Sequence, residues 1–518
     1  MHKFPALFDR TLATLPRRFP GPGGALAVLK DGVPIARHAW GFADIESRIP
    51  FTEQTLFRVC SITKEFTCAL LLDRFSNPEE LNPDVHVFLP ELGPRVPAIL
   101  DLCHNQSGLR DYWALAMLSG SPAEGHFGPS DAARVIGRAR SLQFAPGTRY
   151  SYANQNFRLL AEILERRSGR SFGESLRAQV LEPVAMTTAH LGPDTACSLN
   201  GAIGYEGSLA EGFRPAVNRI HWTGDAGLVA SLDDLIAWEA FIDHTREDAN
   251  GLYRRLSAPP SFKDGKTAYY GFGLGHVSVW GRAATCHGGG LRGWRSFRVH
   301  VPAERVSVVV LFNHMADPRA AAMELLGALL EVKRPEAAAA VDTDGWEGQF
   351  VEPETGLSVR IEARSERELR LRFGPSAEIL SAAGNGEFHG ALTHLHRVRG
   401  VPWINRHREN LKGRLISCES SERTDIVGDY RCAELDSTLT CVMQSGSLYA
   451  AFSGEWGPGM MQPLVPAGRD LWIWPCARAL DYEAPGDWTL RIHRDAQGKA
   501  RRVQVGCWLA RGIEYLSV

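Results

Sequence analysis

The sequence predicts an α+β domain followed by two small antiparallel β-barrel domains. Three observations carry that expectation. Extended segments occur at 23–41 and again after residue 270, with helical patterning between them, so one sheet must join the two ends of that region. A charged, Ala- and Pro-rich stretch at 331–340 then breaks the pattern as a linker does. Beyond it, an arrangement of Gly, aromatic residue and short strands occurs twice, at 346–361 and 426–442. The expected divisions are 1–332 for the α+β domain, 333–345 for the linker, and 346–424 and 425–518 for the barrels.

Each element of the first region has a local cause. Two extended runs flank Asp31-Gly32, which is hairpin-turn chemistry. Residues 66–72 are apolar on nearly every side and read as a buried helix. From about 75 to 200 the apolar residues take helical spacing, clearest at 157–166, and Gly169 stops that helix. Extended runs at 294–301 and 305–312 flank Pro302-Ala303-Glu304, and 308–312 has the unbroken apolar character of a central strand. A helix at 320–330 closes the unit.

With 57 basic and 59 acidic residues the net charge is −2, which provides no general attraction to nucleic acid or an anionic membrane. No apolar run approaches the ~20 residues needed to cross a bilayer. The first ten residues lack an apolar h-region and a small-residue cleavage site, so a cytoplasmic location is expected. Ten cysteines without a C-x-x-C pair predict reduced, buried thiols. Cys103-His104 and Cys286-His287 are adjacent pairs, a poor geometry for joint chelation, so neither a metal site nor a cofactor is expected.

The chemistry begins at Ser61-Ile62-Thr63-Lys64. At helical spacing the Lys64 amine reaches the Ser61 hydroxyl. Burial disfavours the ammonium and makes Lys64 a base, and Ser61 its nucleophile. Alone, the pair reads instead as a capping Ser and an exposed Lys, and only the rest of the chain overturns that reading. An acylation centre also needs a proton shuttle, an oxyanion hole and a strand edge for substrate. Tyr152-Ala153-Asn154 supplies a phenol to shuttle the proton and an amide to hold substrate. His287-Gly288-Gly289-Gly290 supplies a glycine edge, where the N–H of Gly289 or Gly290 would join that of Ser61 around an oxyanion. His126-Phe127-Gly128 repeats the H-x-G pattern but precedes Tyr152 and has no strand signal after it.

The order Ser61, Lys64, Tyr152-x-Asn154, His287-x-Gly289 resembles the serine penicillin-recognising family of class C β-lactamases, D-Ala-D-Ala carboxypeptidases and related esterases. His104 to Leu109 is similar to the family's H-x-x-S-G-L, and Gly224 to Ser231 adds support. The resemblance implies a β-lactamase/transpeptidase-like fold, acylation of Ser61 and hydrolysis of the acyl-enzyme. The family's third motif usually opens with Lys. Here it opens with His287, a weaker anchor for a substrate carboxylate, which argues for substrates whose carboxyl end is blocked or extended.

Residues 38–44, 105–115 and 506–512 are similar to one branch of that family, a catalytic domain followed by two barrels. That likeness implies a homodimeric serine hydrolase that releases N-terminal D-residues, D-Ala preferred, from peptides, amides and esters, with β-lactams as inhibitors. A free ammonium calls for a carboxylate beside the nucleophile. By the same likeness the last domain's loop at 475–488 reaches the cleft and brings Asp481 to the substrate amine. The alternatives are a D-amino-acid amidase or esterase, a weak β-lactamase, or a penicillin-binding sensor that acylates without turning over.

Overall fold

The structure, a computed structural model, describes residues 5–518 apart from 333–342, 344, 385, 420–423, 477, 483 and 484. The expected linker at 333–345 therefore falls almost wholly outside the described residues. An eight-stranded antiparallel sheet dominates the N-terminal region. Its order is Ile49–Pro50, Val33–Asp44, Gly23–Lys30, Val306–Phe312, Trp294–Val301, Arg282–Leu291, Leu274–Val279, Tyr270–Gly271. The strand Gly23–Lys30 pairs with Val306–Phe312 from Gly24↔Phe312 to Lys30↔Val306, so the two ends of the region meet at the sheet centre. Asp31 and Gly32 turn the first hairpin with φ of 54° and 73°, values that suit Asp-Gly.

The central strands are buried on both faces, which explains their unbroken apolar runs. Leu26, Val28, Val308, Val310 and Phe312 face the helices Ala6–Arg18 and Pro318–Leu329. Ala25, Ala27, Leu29, Val309 and Leu311 face a larger helical layer that includes Thr63–Arg74, Asn154–Ser168 and Leu232–His244. Gly169, at φ 68°, ends the second of these three as the sequence predicts. Ser231 caps the third by accepting from Asp234 N.

The C-terminal part folds into two nine-stranded antiparallel sheets that are nearly closed. In each, the two edge strands are chain neighbours separated by one residue. Leu415 separates Leu411–Arg414 from Ile416–Ser417, and Leu464 separates Gln462–Pro463 from Val465–Gly468. Both separating leucines are buried. Closing the barrel removes the exposed edges that an open sheet would present to other chains.

The three cores share residues. Ala114, Leu115 and Leu118, from the helix Tyr112–Leu118, belong to the second barrel's core. Trp508 of the second barrel packs in the core of the first, and Leu480, from the second barrel's long loop, lies fully buried in the N-terminal core. All ten cysteines are free; seven are buried, Cys418 and Cys476 are half-buried, and Cys197 is exposed.

Candidate active site

The Ser61 segment sits where the helical layer meets the sheet. Ser61 lies in a 3-10 turn, Cys60–Ile62, and the α-helix begins at Thr63 rather than at Ser61 itself. Cys60 before it has φ 53°, a left-handed conformation that a side chain bears at a cost of about 1–3 kcal/mol. Its neighbours hold it there. Val59 N donates to Leu228 O, and Ser296 Oγ donates 2.8 Å to Val59 O. Gly289 packs so closely that a Cβ on it would collide with Val59 O and Ser296 Oγ. The glycine run thus stands inside the strand Arg282–Leu291, where the backbone of the nucleophile turn leaves no space for a side chain.

Lys64 is fully buried, and its Nζ has three partners: Ser61 Oγ at 3.1 Å, Asn154 Oδ1 at 2.9 Å and Asp225 O at 2.5 Å. Burial pushes its pKa down to about 8, opposed by the charges of Asp225, Asp111 and Asp481. Tyr152 lies beside the Ser61 side chain, and its ring centre is 4.8 Å from Lys64 Nζ. Desolvation raises its pKa well above the usual phenol range, so Tyr152 holds its proton at neutral pH. The neighbouring pair is a depressed amine, able to accept a proton, and a raised phenol, able to give one.

His287 is buried, and both of its ring nitrogens are engaged. Nδ1 donates 2.6 Å to Gly288 O, and Nε2 accepts from Tyr270 O–H at 2.9 Å. The carbonyl can only accept, which fixes the neutral Nδ1–H tautomer. Burial, then the nearby Lys64, pushes the pKa down to about 3. The H-x-G decoy resolves differently: His126 is exposed, and Gly128 precedes the helix Pro129–Gly137.

Two aspartates that sequence reasoning left without a role complete the site. Asp111 caps the helix Tyr112–Leu118, accepting from Trp113 N and Ala114 N, and its Oδ2 accepts from Asn154 N and Nδ2 at 2.9 Å each. Asp225 offers its main-chain oxygen to Lys64, while its carboxylate accepts from Tyr112 O–H and Thr223 N. The available signal was a cap: Asp111 stands directly before the apolar run 112–118. Beneath the nucleophile helix, fully buried Arg298 pairs with Glu65 and Glu239 at 3.3 and 2.5 Å.

The second barrel's loop reaches this site. Arg292, in the turn after the glycine strand, donates to Ala479 O at 2.5 Å and Leu480 O at 2.6 Å, and its backbone N donates to Asp481 O at 3.1 Å. Tyr482 stacks on Arg295, 4.1 Å from guanidinium to ring centre, and its ring faces Gly290. Asp481 is half-buried, and its carboxyl is raised to about 7 by desolvation first and then by Asp111. Its charge acts on Lys64, Tyr152 and Cys60. Glu483, in the same loop, lies outside the described residues.

The chain matches known proteins over nearly its whole length. A family described as Beta-lactamase matches residues 8–331, and one described as D-aminopeptidase, domain B matches 339–516. The D-aminopeptidase of Gluconobacter oxydans is 49% identical over 522 residues, covering 99% of each chain. That of Brucella ovis is 46% identical over 501 residues, covering 97% of this chain and 96% of its own. The octameric penicillin-binding protein homologue from Pyrococcus abyssi shares the fold at TM-score 0.53 and 20% identity, over 79% of this chain and 99% of its own. The chain belongs to the β-lactamase family and, within it, to the D-aminopeptidases.

Proposed function

We propose that the protein is a serine-type aminopeptidase that releases N-terminal D-residues, small ones such as D-Ala preferred, from peptides, amides and esters. One observation carries the amino-end reading. A loop of the last barrel, anchored by buried Leu480 and by Arg292, carries Asp481, whose charge acts on Lys64 and Tyr152 and supports a place for it near the substrate amine. A carboxylate there complements a free ammonium and repels a substrate carboxylate. Neutral His287 gives no cationic anchor for a carboxyl end. Preference for D-residues rests on the relatives, which carry the name D-aminopeptidase.

The reaction follows from the protonation states. Neutral Lys64 takes the Ser61 proton as Oγ attacks the scissile carbonyl, whose oxygen turns toward the N–H groups of Ser61 and Gly289 or Gly290. Tyr152 passes its proton to the departing amine and regains one from the Lys64 ammonium. Asn154 holds Lys64 and the substrate amide. Water then attacks the acyl-enzyme with the same groups reversed. In this reading 1–332 is the catalytic unit and 346–424 and 425–518 are the barrels, the chain works as a cytoplasmic homodimer, and β-lactams act as inhibitors.

Hydrolysis of D-Ala-p-nitroanilide, of its L-isomer, and by the Ser61→Ala variant tests the reading. Turnover of the D-isomer alone, lost in the variant, is expected. Equal turnover of both isomers or an active variant overturns it. Excision of 475–488 separates the amidase and β-lactamase alternatives, since an aminopeptidase gated by this loop changes its substrate profile when the loop is gone.

A further inference from the structure

The first barrel carries a cluster far along the chain from the acylation residues. Glu387 and His389 lie two apart on the strand Glu387–His389, and His394 lies on the next strand, Thr393–Val398. Side chains two apart in a strand share a face, and His389 pairs directly with His394 in the register. All three side chains therefore emerge together. His394 Nε2 is 3.2 Å and His389 Nε2 3.7 Å from the same oxygen, Glu387 Oε2. The two imidazoles lie 4.2 Å apart, centre to centre, and at least one ligand atom of each of the three residues falls within 4.8 Å of the others.

We propose that Glu387, His389 and His394 form a Zn²⁺ site that clips the two strands together. Two imidazole nitrogens and one carboxylate oxygen are a zinc donor set, whereas Ca²⁺ and Mg²⁺ call for oxygen ligands. Zn–N and Zn–O bonds of about 2.0–2.2 Å put tetrahedral ligand atoms roughly 3.3–3.6 Å apart. The two nitrogen–oxygen distances bracket that spacing and no ligand pair is more than 4.8 Å apart, so rotation of the partly exposed side chains toward one another closes the site. The remaining tetrahedral position belongs to water. It is reached from a cleft of about 680 Å³, lined on one side by His276, Ser278 and Arg319 and on the other by His389, His394 and His407.

The support around the cluster keeps it in place. Glu378 accepts from Leu392 N, Thr393 N and Thr393 Oγ1, which fixes the start of the second strand. His396, two residues beyond His394 on the same face, stacks on it at 4.9 Å and 28°. Its Nδ1 is buried without a hydrogen-bond partner. The Cys–His pairs offered no such arrangement, because a strand register rather than chain adjacency brings these ligands together.

A rival account makes the cluster a hydrogen-bonded His–Glu group with no ion. Calorimetric titration of the tag-free, chelator-stripped full chain with ZnCl₂ separates the two, alongside Co²⁺ substitution read by visible absorption. The proposal expects one Zn²⁺ per chain, a melting temperature that rises with Zn²⁺ concentration, and a Co²⁺ spectrum of low coordination number. Glu387→Gln or His389→Ala weakens binding by at least about tenfold, and the His389→Ala/His394→Ala pair abolishes it and the spectrum. All three are partly exposed, and each variant's D-Ala-p-nitroanilide turnover reports that it is folded. No saturable binding to the full chain overturns the proposal, and so does binding that survives in the double variant.

Discussion

Asp111 takes both the backbone N–H and the side-chain amide of Asn154, so the Asn154 carbonyl oxygen is left facing Lys64. An N-cap thus orients the Asn154 amide across 43 residues of sequence. Asp111→Asn keeps the volume but sets an amide against the amide of Asn154. Hydrogen bonds to a charged group contribute about 1.5–3 kcal/mol, so kcat/KM should fall roughly 10- to 100-fold. The Asp111 charge also raises the Lys64 pKa, and its removal should move the acid limb of the pH profile to lower pH. A lower melting temperature with an unmoved limb and unchanged kcat/KM would mean that Asp111 is only a cap.

The pH profile has a definite sign. Lys64 acts as a base only when neutral, and its pKa is about 8, so activity should climb about tenfold per pH unit as the pH rises toward 8. Asp481 must be ionised to hold the ammonium, and its pKa of about 7 steepens the climb below pH 7. Loss of the substrate's own amine proton, near 7.7–8.0, closes the profile on the alkaline side. In Asp481→Asn the steep portion should vanish, KM should rise, and the Lys64 limb should shift down because a neighbouring negative charge has gone. A wild-type profile flat from pH 5 to 8 contradicts these assignments.

Gly289→Ala probes the contact between the sheet and the nucleophile turn. Its Cβ meets backbone at Val59 O, which cannot swing aside. Overpacking of this kind costs about 1–3 kcal/mol of stability. Because the strained Cys60 turn positions Ser61, kcat should fall at least a hundredfold, about 2.7 kcal/mol of barrier. Gly288→Ala, whose Cβ meets only ordinary contacts, is the matched control. Equal effects from the two substitutions would refute the argument.

Arg292→Ala removes the guanidinium from two loop carbonyls, Ala479 O and Leu480 O, and from Val217 O. The loop loosens and Asp481 loses its placement, so KM for D-Ala-p-nitroanilide should rise about tenfold, the effect of losing one such bond, with kcat changed less. If kcat falls and KM holds, the arginine acts on chemistry rather than on the amine pocket.

Much of the architecture could be read from the chain because its cause is local. Val306–Phe312 is buried at every position, and its unbroken apolar run reports that directly. Asp31-Gly32 and Gly169 mark a hairpin and a helix end through backbone angles few residues adopt. Ser61, Lys64, Tyr152, Asn154 and His287 were legible as an ordered set, and the structure gathers them. Arg292 was not, because its partners lie some 187 residues away in the chain. The 3-10 turn at Ser61 and the strand through Gly289 also escaped, since each depends on the other for packing. Barrel closure at Leu415 and Leu464 is a property of pairing order, which short strands do not announce.

The central claim is a D-aminoacyl-enzyme on Ser61. Rapid acid quench of the enzyme with a D-Ala ester, followed by intact and peptide mass spectrometry, tests it most directly. The account predicts a transient gain of one alanyl residue on the peptide bearing Ser61, absent with the L-ester and absent in Ser61→Ala. Full turnover with no adduct on Ser61, or an adduct on another residue, would contradict it.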